Sequence, residues 1–291
     1  MPLPILNKPE LALGDNGAAV EELQMLLQKR LAGITVPGSP NLQSPGFVDG
    51  DFGAGTEAAA IAFQEQFTLP PPPDGIVGNV TWVALLHRIF PDIQSHWAAN
   101  YITQLGFAEV IQGDDLGKFN PDASITRAQF AALLARGFDP VATQRPGKEF
   151  SDVPTSHWAY TAIQKAYKAG FLSGYDDGTF KPNLSILRQD VIITLANTLG
   201  TRRDGSEAVL NRYTDARSIS NYARNGVILA TLHGIVVNFP QINTLNPTRA
   251  ATRAEVAAML SRSLTFYVQK GFNLSHPVAP QPIDSAFVVK P

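Results

Sequence analysis

The apolar residues of this 291-residue chain recur at helical spacing along most of its length. The first stripe follows residues 14–17, and its members lie mostly three or four positions apart: Val20, Leu23, Leu26, Leu27 and Leu31. This spacing predicts an amphipathic helix. From residue 90 onward the pattern predicts three pairs of helices, each joined by a loop that contains Gly or Pro. The first helices are expected at about 97–108, 158–170 and 222–233, and each second helix begins near an arginine.

The three helix pairs are copies of one repeating unit. Each copy opens with an aromatic residue two positions before an aspartate, and these aspartates are Asp92, Asp152 and Asp215. The arginines that start the second helices are Arg127, Arg188 and Arg253, which are 61 and 65 positions apart. A period of this length indicates a supersecondary unit used three times. One such pair cannot bury its own apolar stripe, so we expect three pairs to close on each other in a mainly α fold.

The second helices also carry start signals. Thr126 with Gln129, and Thr252 with Glu255, have the spacing of a capping box, in which each residue satisfies a backbone N–H of the other. The second copy has Leu187 in place of the threonine. We therefore expect its helix to begin less securely than the other two.

Small residues end the segment that follows each first helix. The first two copies place Gly113 and Gly174 there, and the third places Asn238. Because glycine and asparagine tolerate a positive φ better than other residues, we expect a left-handed backbone at these positions.

The first 88 residues contain a shorter internal echo. The pattern Asp-Gly-x-x-Gly-x-x-Thr occurs at residues 49–56 and again at 74–81. Its glycines suit tight turns with positive φ, and Thr56 and Thr81 are expected to cap the helices that follow. Prolines at 70–73 cannot be helical and predict a stiff bridge between the two halves.

These turns, together with Leu23-Gln24 and Phe63-Gln64, resemble the peptidoglycan-binding domain-like family, a small three-helix module. The resemblance covers about residues 11–88 and implies a first domain at 1–88. The loop at 33–46 departs from the family, because it is longer and richer in Pro and Ser than the usual link. The resemblance implies that peptidoglycan is held by residues of the two turn motifs, namely Asp49, Phe52, Thr56, Asp74 and Thr81.

The three repeats resemble S-layer homology domains. Triplets of these domains form a three-pronged pseudo-trimer of helix-loop-helix units, so the resemblance implies the same helical unit here. The domains would then lie at residues 89–138, 149–200 and 212–265, followed by a Pro-rich tail at 266–291. In that family the matching arginine helps to bind a secondary cell-wall polysaccharide, often through the carboxylate of a pyruvyl ketal.

The arginines at the helix starts leave two interpretations open. A cation at this end of a helix opposes the helix dipole, so a partner is expected. The partner could be an aspartate within the repeats, such as Asp92, Asp152 or Asp215. It could instead be an anionic ligand, because a guanidinium holds a carboxylate bidentately and the helix N-terminus adds backbone donors. The resemblance makes Arg127, Arg188 and Arg253 candidate glycan-binding residues, with Asp92, Asp152, Gly113 and Gly174 beside them.

Aromatic residues recur at the start of the first helices. Trp97 and Trp158 are predicted either to pack in the core or to line a groove against sugar C–H groups, and Tyr222 takes this position in the third copy. His96 and His157 precede the tryptophans, but no third ligand recurs with them, so we interpret them as capping or groove-rim residues. We predict no metal site and no cofactor.

Composition narrows the possible partners. The formal net charge of −2 gives no basic field for nucleic acid, and the absence of Cys excludes disulfides and thiolate catalysis. Residues 1–10 lack the apolar run of a signal peptide, and no stretch of about 18 apolar residues predicts a membrane span. We also find no nucleophile elbow, no zinc-protease motif and no phosphate loop, so no catalytic residue is predicted.

The sequence supports three functional hypotheses. The first is a non-catalytic protein of the cell envelope, in the periplasm or cell wall, that binds peptidoglycan and a wall-linked acidic polysaccharide. The second is a structural adaptor subunit of a phage tail or contractile injection particle that docks on the wall and contacts other subunits. The third is a peptidoglycan hydrolase.

Overall fold

The computed structural model describes residues 7–66, 73–86, 90–93, 95–114, 116–138, 144–199, 205–269 and 289. This part of the chain is mainly helical and contains isolated β-bridges but no β-strand, which confirms the predicted fold class. The chain divides into two compact units. The first comprises Met1–Gln94 and Gln112–Phe119, and the second comprises Ser95–Ile111 and Asn120–Pro291.

The first unit is built on three α-helices: α1 (Ala18–Arg30), α2 (Ala54–Gln66) and α3 (Asn79–Leu86). A 3-10 turn at Pro45–Phe47 lies in the long connection between α1 and α2. The predicted stripe of α1 is buried in a core that also holds Phe63 and Trp82. Gly17 precedes α1 with φ 105°, a backbone conformation that glycine adopts readily because it has no Cβ.

The second unit contains six α-helices in the described residues. They are α4 (Ala99–Phe107), α5 (Arg127–Gly137), α6 (Tyr160–Lys168), α7 (Arg188–Asn197), α8 (Arg224–Leu232) and α9 (Arg253–Gln269). Shorter 3-10 turns occupy Glu207–Arg212, Ala216–Ser218 and Asn221–Ala223 in this unit, and Pro91–Ile93 in the first. The first helices of the repeats begin two residues later than predicted, because the Trp or Tyr and its neighbours form a turn before each helix.

The repeats pack in a cyclic order. Helix α5 of the first repeat packs on α6 of the second, α7 packs on α8 of the third, and α9 returns to pack on α4 of the first. Each apolar second helix therefore buries its stripe on the next repeat along the ring. This arrangement agrees with the prediction that three pairs close on each other.

A ring of backbone hydrogen bonds closes the same order at the centre. The Ile125 N–H donates to the Ala251 carbonyl at 3.1 Å, the Ala251 N–H to Ile186 at 2.9 Å, and the Ile186 N–H to Ile125 at 3.1 Å. At the next positions, the first residue of each second helix donates its N–H to a carbonyl of the following repeat. The pairs are Arg127 to Leu184, Arg188 to Arg249 and Arg253 to Ala123, each at 2.9 Å.

The predicted helix starts are largely confirmed in the second unit. Thr126 forms a capping box with Gln129, and Thr252 exchanges the same two hydrogen bonds with Glu255. Leu187 makes no side-chain cap, as predicted.

In the first unit, Gly50 and Gly75 have positive φ, as predicted, but Gly53 and Gly78 are not in that region. The prediction that Thr56 caps its helix is wrong, because α2 already begins at Ala54, and the same holds for Thr81 in α3.

The predicted left-handed backbone at Gly113 and Gly174 is also wrong. Neither residue has a positive φ, and the left-handed turns lie earlier, at positions that include Gly170 and Gly234. Close packing requires these glycines instead. A Cβ at Gly174 would lie 2.2 Å from the Phe150 ring and 2.8 Å from the Thr179 carbonyl, and one at Gly113 would lie 2.7 Å from the Lys118 carbonyl.

Candidate ligand-binding grooves and the predicted site residues

Arg127 reaches from the start of α5 into the second repeat. Its Nε donates to the Phe180 carbonyl at 2.8 Å and its Nη2 to the Ser173 carbonyl at 2.7 Å. The guanidinium lies over the rings of Tyr175 and Phe180, with centroids at 4.9 and 4.6 Å. The residue is only 7% exposed, and burial lowers its pKa. Arg127 therefore joins two repeats through carbonyl oxygens.

Arg188 makes the equivalent contacts with the third repeat and is more deeply buried, with 1% exposure. Its Nε donates to the Leu245 carbonyl at 2.7 Å, and its Nη2 donates to the Val237 carbonyl at 2.6 Å and to the Asn238 side chain at 2.5 Å. Its Nη1 forms an ion pair with Glu255 at 3.2 Å. Burial lowers the pKa of Arg188, and the Glu255 carboxylate opposes that effect.

Arg253 is half-buried at the start of α9. Its backbone N–H donates to the Ala123 carbonyl, so this residue occupies the third corner of the central ring.

The aspartates that open the repeats accept hydrogen bonds from backbone N–H groups, whereas the sequence suggested that they pair with the repeated arginines. Asp152 accepts the backbone N–H groups of Phe180 and Lys181, both at 2.8 Å, and Asp215 accepts those of Leu245 and Asn246 at 2.9 and 2.7 Å. Asp92 accepts the Phe119 N–H at 2.9 Å. The interpretation that these aspartates pair with Arg127 and Arg188 is therefore wrong. Each aspartate ties the opening of its repeat to the loop that precedes the second helix.

Trp97 lines a groove between the first and third repeats. The indole stacks on the Phe239 ring at a centroid distance of 5.0 Å and an angle of 8°. The groove has a volume of about 380 Å³, within the range of small-molecule sites. Its lining combines the two rings with polar side chains: Ser95, His96, Trp97, Asp122, Phe239, Thr252 and Glu255.

The polar wall of this groove is held by a fixed network. His96 Nε2 lies 3.3 Å from Asp122 Oδ1, and His96 Nδ1 accepts the Ala98 N–H, so the histidine caps its own turn. Glu255 accepts the Thr252 N–H and is paired with both Arg188 and Arg249. Although burial raises the pKa of Glu255, the two arginines and the backbone donor hold it below its usual value.

The equivalent positions in the other repeats differ in exposure and contacts. Trp158 is 65% exposed and stacks on His157 at 5.8 Å. Tyr222, although also exposed, is engaged by its neighbours: its hydroxyl donates to Asp190 at 2.8 Å and accepts from Gln189. Core packing is therefore wrong for Trp158, and Trp97 lines a groove.

The predicted peptidoglycan residues form two equivalent turn clamps in the first unit. The Gln24 side chain accepts the N–H groups of Asp49 and Gly50 and donates to Asp49, to the Asp51 carbonyl and to Thr56. Gln64 makes the matching set with Asp74, Gly75, the Ile76 carbonyl and Thr81.

Only some of these clamp residues are accessible to a ligand. Phe52, Thr56 and Thr81 are buried, whereas Asp49 and Asp74 are exposed. Hydrogen bonds from Gln24 and from the Asp51 N–H hold the pKa of Asp49 below its usual value.

Several site residues were missed from the sequence. Phe239 follows Asn238 as Tyr175 follows Gly174, so an aromatic residue recurs at this position in two of the three copies and was the signal that could have found it. Asn238 was expected to bend the backbone, but its buried side chain instead accepts from Arg188. Within the described residues no group of three potential metal ligands occurs, and no helix is long and apolar enough to span a bilayer.

The fold and the groove define a modular protein that joins a three-helix module to a closed ring of three helical repeats. Residues 16–85 match the putative peptidoglycan binding domain, and residues 89–131, 149–192 and 212–257 match the S-layer homology domain. The chain thus contains one putative peptidoglycan-binding domain followed by three S-layer homology domains.

Similar curated proteins share only part of their length with this chain. An amylopullulanase of Thermoanaerobacterium thermosulfurigenes is 34% identical over 60% of the chain and 9% of its own length. A cellulosome-anchoring protein of Acetivibrio thermocellus is 31% identical over 54% of the chain and 36% of its own length. The S-layer protein sap of Bacillus anthracis is 27% identical over 65% of the chain and 23% of its own length. The chain therefore spans about a third or less of each of these relatives.

Proposed function

We propose that this chain is a non-catalytic anchoring protein of the cell surface, whose first unit binds peptidoglycan and whose repeat unit binds a wall-linked polysaccharide. The observation that carries the proposal is the Trp97 groove in a unit of three S-layer homology domains. A flat pair of rings beside fixed polar groups suits a sugar, whose C–H faces pack on aromatic surfaces and whose hydroxyls need hydrogen-bond partners. The anchoring and surface-layer roles in the names of two relatives support the same direction.

Two binding units on one chain strengthen attachment. Once one unit is bound, the other meets its ligand at the high effective concentration set by the shared chain. Weak individual sites can therefore give firm attachment to a surface that carries both ligands.

The acidic, pyruvylated character predicted for the polysaccharide requires a cation that no carboxylate of the protein already neutralises. Arg127 fits this requirement better than Arg188. Arg188 is neutralised by Glu255 at 3.2 Å, whereas within the described residues Arg127 forms no ion pair with a carboxylate. We therefore place the ligand carboxylate beside Arg127 and the Tyr175 ring.

Binding to purified sacculi tests the anchoring role. Wild type and Trp97→Ala would be incubated with native sacculi and with sacculi stripped of polysaccharide, and the bound fraction measured after centrifugation. Trp97→Ala should weaken binding to native sacculi by about tenfold, the loss of roughly 1.4 kcal/mol expected for one aromatic contact at a binding site. It should leave binding to stripped sacculi unchanged. Absence of wild-type binding, or unchanged binding of Trp97→Ala to native sacculi, would refute the proposal.

The placement of the carboxylate has its own test. Asp190 lies close enough to Arg127 for their charges to interact. Asp190→Asn should therefore tighten binding of the acidic polysaccharide about threefold, the effect of a unit charge roughly 6 Å away in a water-like medium. Glu149→Gln, at an exposed carboxylate of the same repeat that accepts from the Tyr160 hydroxyl, is the matched control. Equal affinities for wild type and Asp190→Asn would count against an anion at Arg127.

A further inference from the structure

The rings in the Trp97 groove form a rigid wall. Besides its stack on Phe239, the indole lies against the His96 ring at 5.5 Å and edge-on to Tyr101 at 6.5 Å. Phe239 is nevertheless 40% exposed, so part of the stacked pair faces solvent. A ligand entering the groove therefore meets the exposed part of Phe239 and the adjoining part of the Trp97 ring.

The opposite wall carries carboxylates. Asp122 is 86% exposed by side chain, and Glu255 lines the groove from the third repeat. An ionised carboxylate accepts hydrogen bonds and donates none. The described lining residues include no Lys or Arg, so the charged groups that face the groove are acceptors.

Two guanidinium groups bind the Glu255 carboxylate. Arg188 is buried and donates to two carbonyls and to Asn238, while Glu255 lies 3.2 Å from its remaining nitrogen. Arg249 also binds Glu255. The two arginines offset the charge of Glu255, so the exposed Asp122 is the carboxylate whose charge an entering anion would meet.

We infer that the Trp97 groove selects a sugar residue without a carboxylate, one whose hydroxyl groups donate to Asp122 and Glu255 while its C–H face packs on Trp97 and Phe239. This inference rests on the proposed glycan binding, and it assigns to this groove a ligand chemistry different from that of the acidic unit placed beside Arg127. The repeat unit would then recognise two chemically distinct parts of a wall glycan.

A matched pair of oligosaccharides tests the charge preference: tetragalacturonate and its carboxyl-reduced form, a tetragalactose with the same linkage. The chain has three tryptophans, so fluorotryptophan NMR resolves Trp97 from Trp82 and Trp158. We expect the reduced form to shift the Trp97 signal with an affinity about fourfold higher than the acidic form, as for two like charges roughly 5 Å apart in water. Asp122→Asn should narrow this ratio, while Asp114→Asn, an exposed aspartate of the same repeat outside the groove, should not.

Three outcomes would overturn the inference: equal or tighter binding of the acidic form at Trp97, a ratio unchanged by Asp122→Asn, or no Trp97 shift with either oligosaccharide. Sacculus binding by the same protein separates this failure from failure of the proposed function. If binding to native sacculi persists and depends on Trp97 while the acidic form is preferred, anchoring stands and only the assigned ligand chemistry is wrong.

Discussion

Replacing Arg188 by methionine tests whether the repeated arginine holds the three-repeat ring together. Methionine keeps the length and apolar volume of the side chain but removes the guanidinium. The change deletes hydrogen bonds to two buried backbone carbonyls and to Asn238, and it breaks the ion pair with Glu255. All of these partners belong to the third repeat, so the substitution removes contacts between repeats.

The expected loss follows from burial. Removing one partner of a buried ion pair costs about 3–5 kcal/mol, because the remaining charge is left uncompensated. Arg249 still pairs with Glu255, so we expect the lower end of this range, about 3 kcal/mol, for Arg188→Met. Arg127→Met breaks two hydrogen bonds and no ion pair, so about 2 kcal/mol is expected for it.

Urea unfolding followed by fluorotryptophan NMR measures both losses. Trp82 lies in the first unit, whereas Trp97 and Trp158 lie in the second, so the two units are observed separately. We expect Arg188→Met to lower the free energy of unfolding reported by Trp97 and Trp158 and to leave the value reported by Trp82 unchanged.

A double-mutant cycle with Glu255→Gln isolates the ion pair. Because the two groups are in contact, the losses should not add, and the coupling should exceed about 1 kcal/mol. A loss below about 1 kcal/mol for Arg188→Met would refute the structural role. So would additive losses for the ion pair. A stable Arg188→Met protein that no longer binds sacculi would instead make Arg188 a ligand-binding residue.

Three further predictions concern other parts of the chain. Gln64→Ala should destabilise the first unit by about 2–4 kcal/mol, because the Gln64 side chain holds the turn at Asp74 and Gly75 by several hydrogen bonds. The control Gln28→Ala loses one described hydrogen bond and should cost less than about 1 kcal/mol. Equal losses in urea unfolding would contradict the role of Gln64. Leu187→Thr should stabilise the second unit by about 0.5–1 kcal/mol relative to Leu187→Ala by adding the missing helix cap, and no difference between the two variants would argue against it. Burial raises the pKa of Asp190, so ionising Asp190 lowers the free energy of unfolding as the pH rises through the folded-state pKa. Asp190→Asn should therefore be more stable than wild type at pH 7 but not below pH 3.8. A stability difference that does not change with pH would be inconsistent with this account.

Local signals were sufficient to predict much of the fold. A capping box depends only on residues within one helical turn, so the residue types alone predict its geometry. This holds for the capped starts at Thr126 and Thr252 and for the uncapped start at Leu187. The apolar stripes likewise predicted the helix pairs. The cyclic order of packing follows from the need of each stripe to be covered.

The roles of the repeated polar residues were harder to predict because they depend on contacts between distant parts of the chain. Arg127 binds backbone carbonyls 46 and 53 positions away. Every residue has a backbone carbonyl, so the residue type does not show which one will accept a hydrogen bond. Gly174 was expected to permit a positive φ, but it makes room for the Phe150 ring, which lies in an earlier segment. In both cases the residue type was recognised and the physical reason for it was not.

The third residue of each second helix can cap that helix, and its charge lies close to the arginine of the preceding repeat. In the third repeat this residue is Glu255, which accepts the Thr252 N–H as a cap and also reaches Arg188. In the second repeat it is Asp190, which accepts from Tyr222 and forms no ion pair with Arg127 within the described residues. Because the backbone ring is the same at both places, one side chain can decide whether the arginine is neutralised. The second and third repeats thereby place different charges beside Arg127 and Arg188 on the same backbone arrangement.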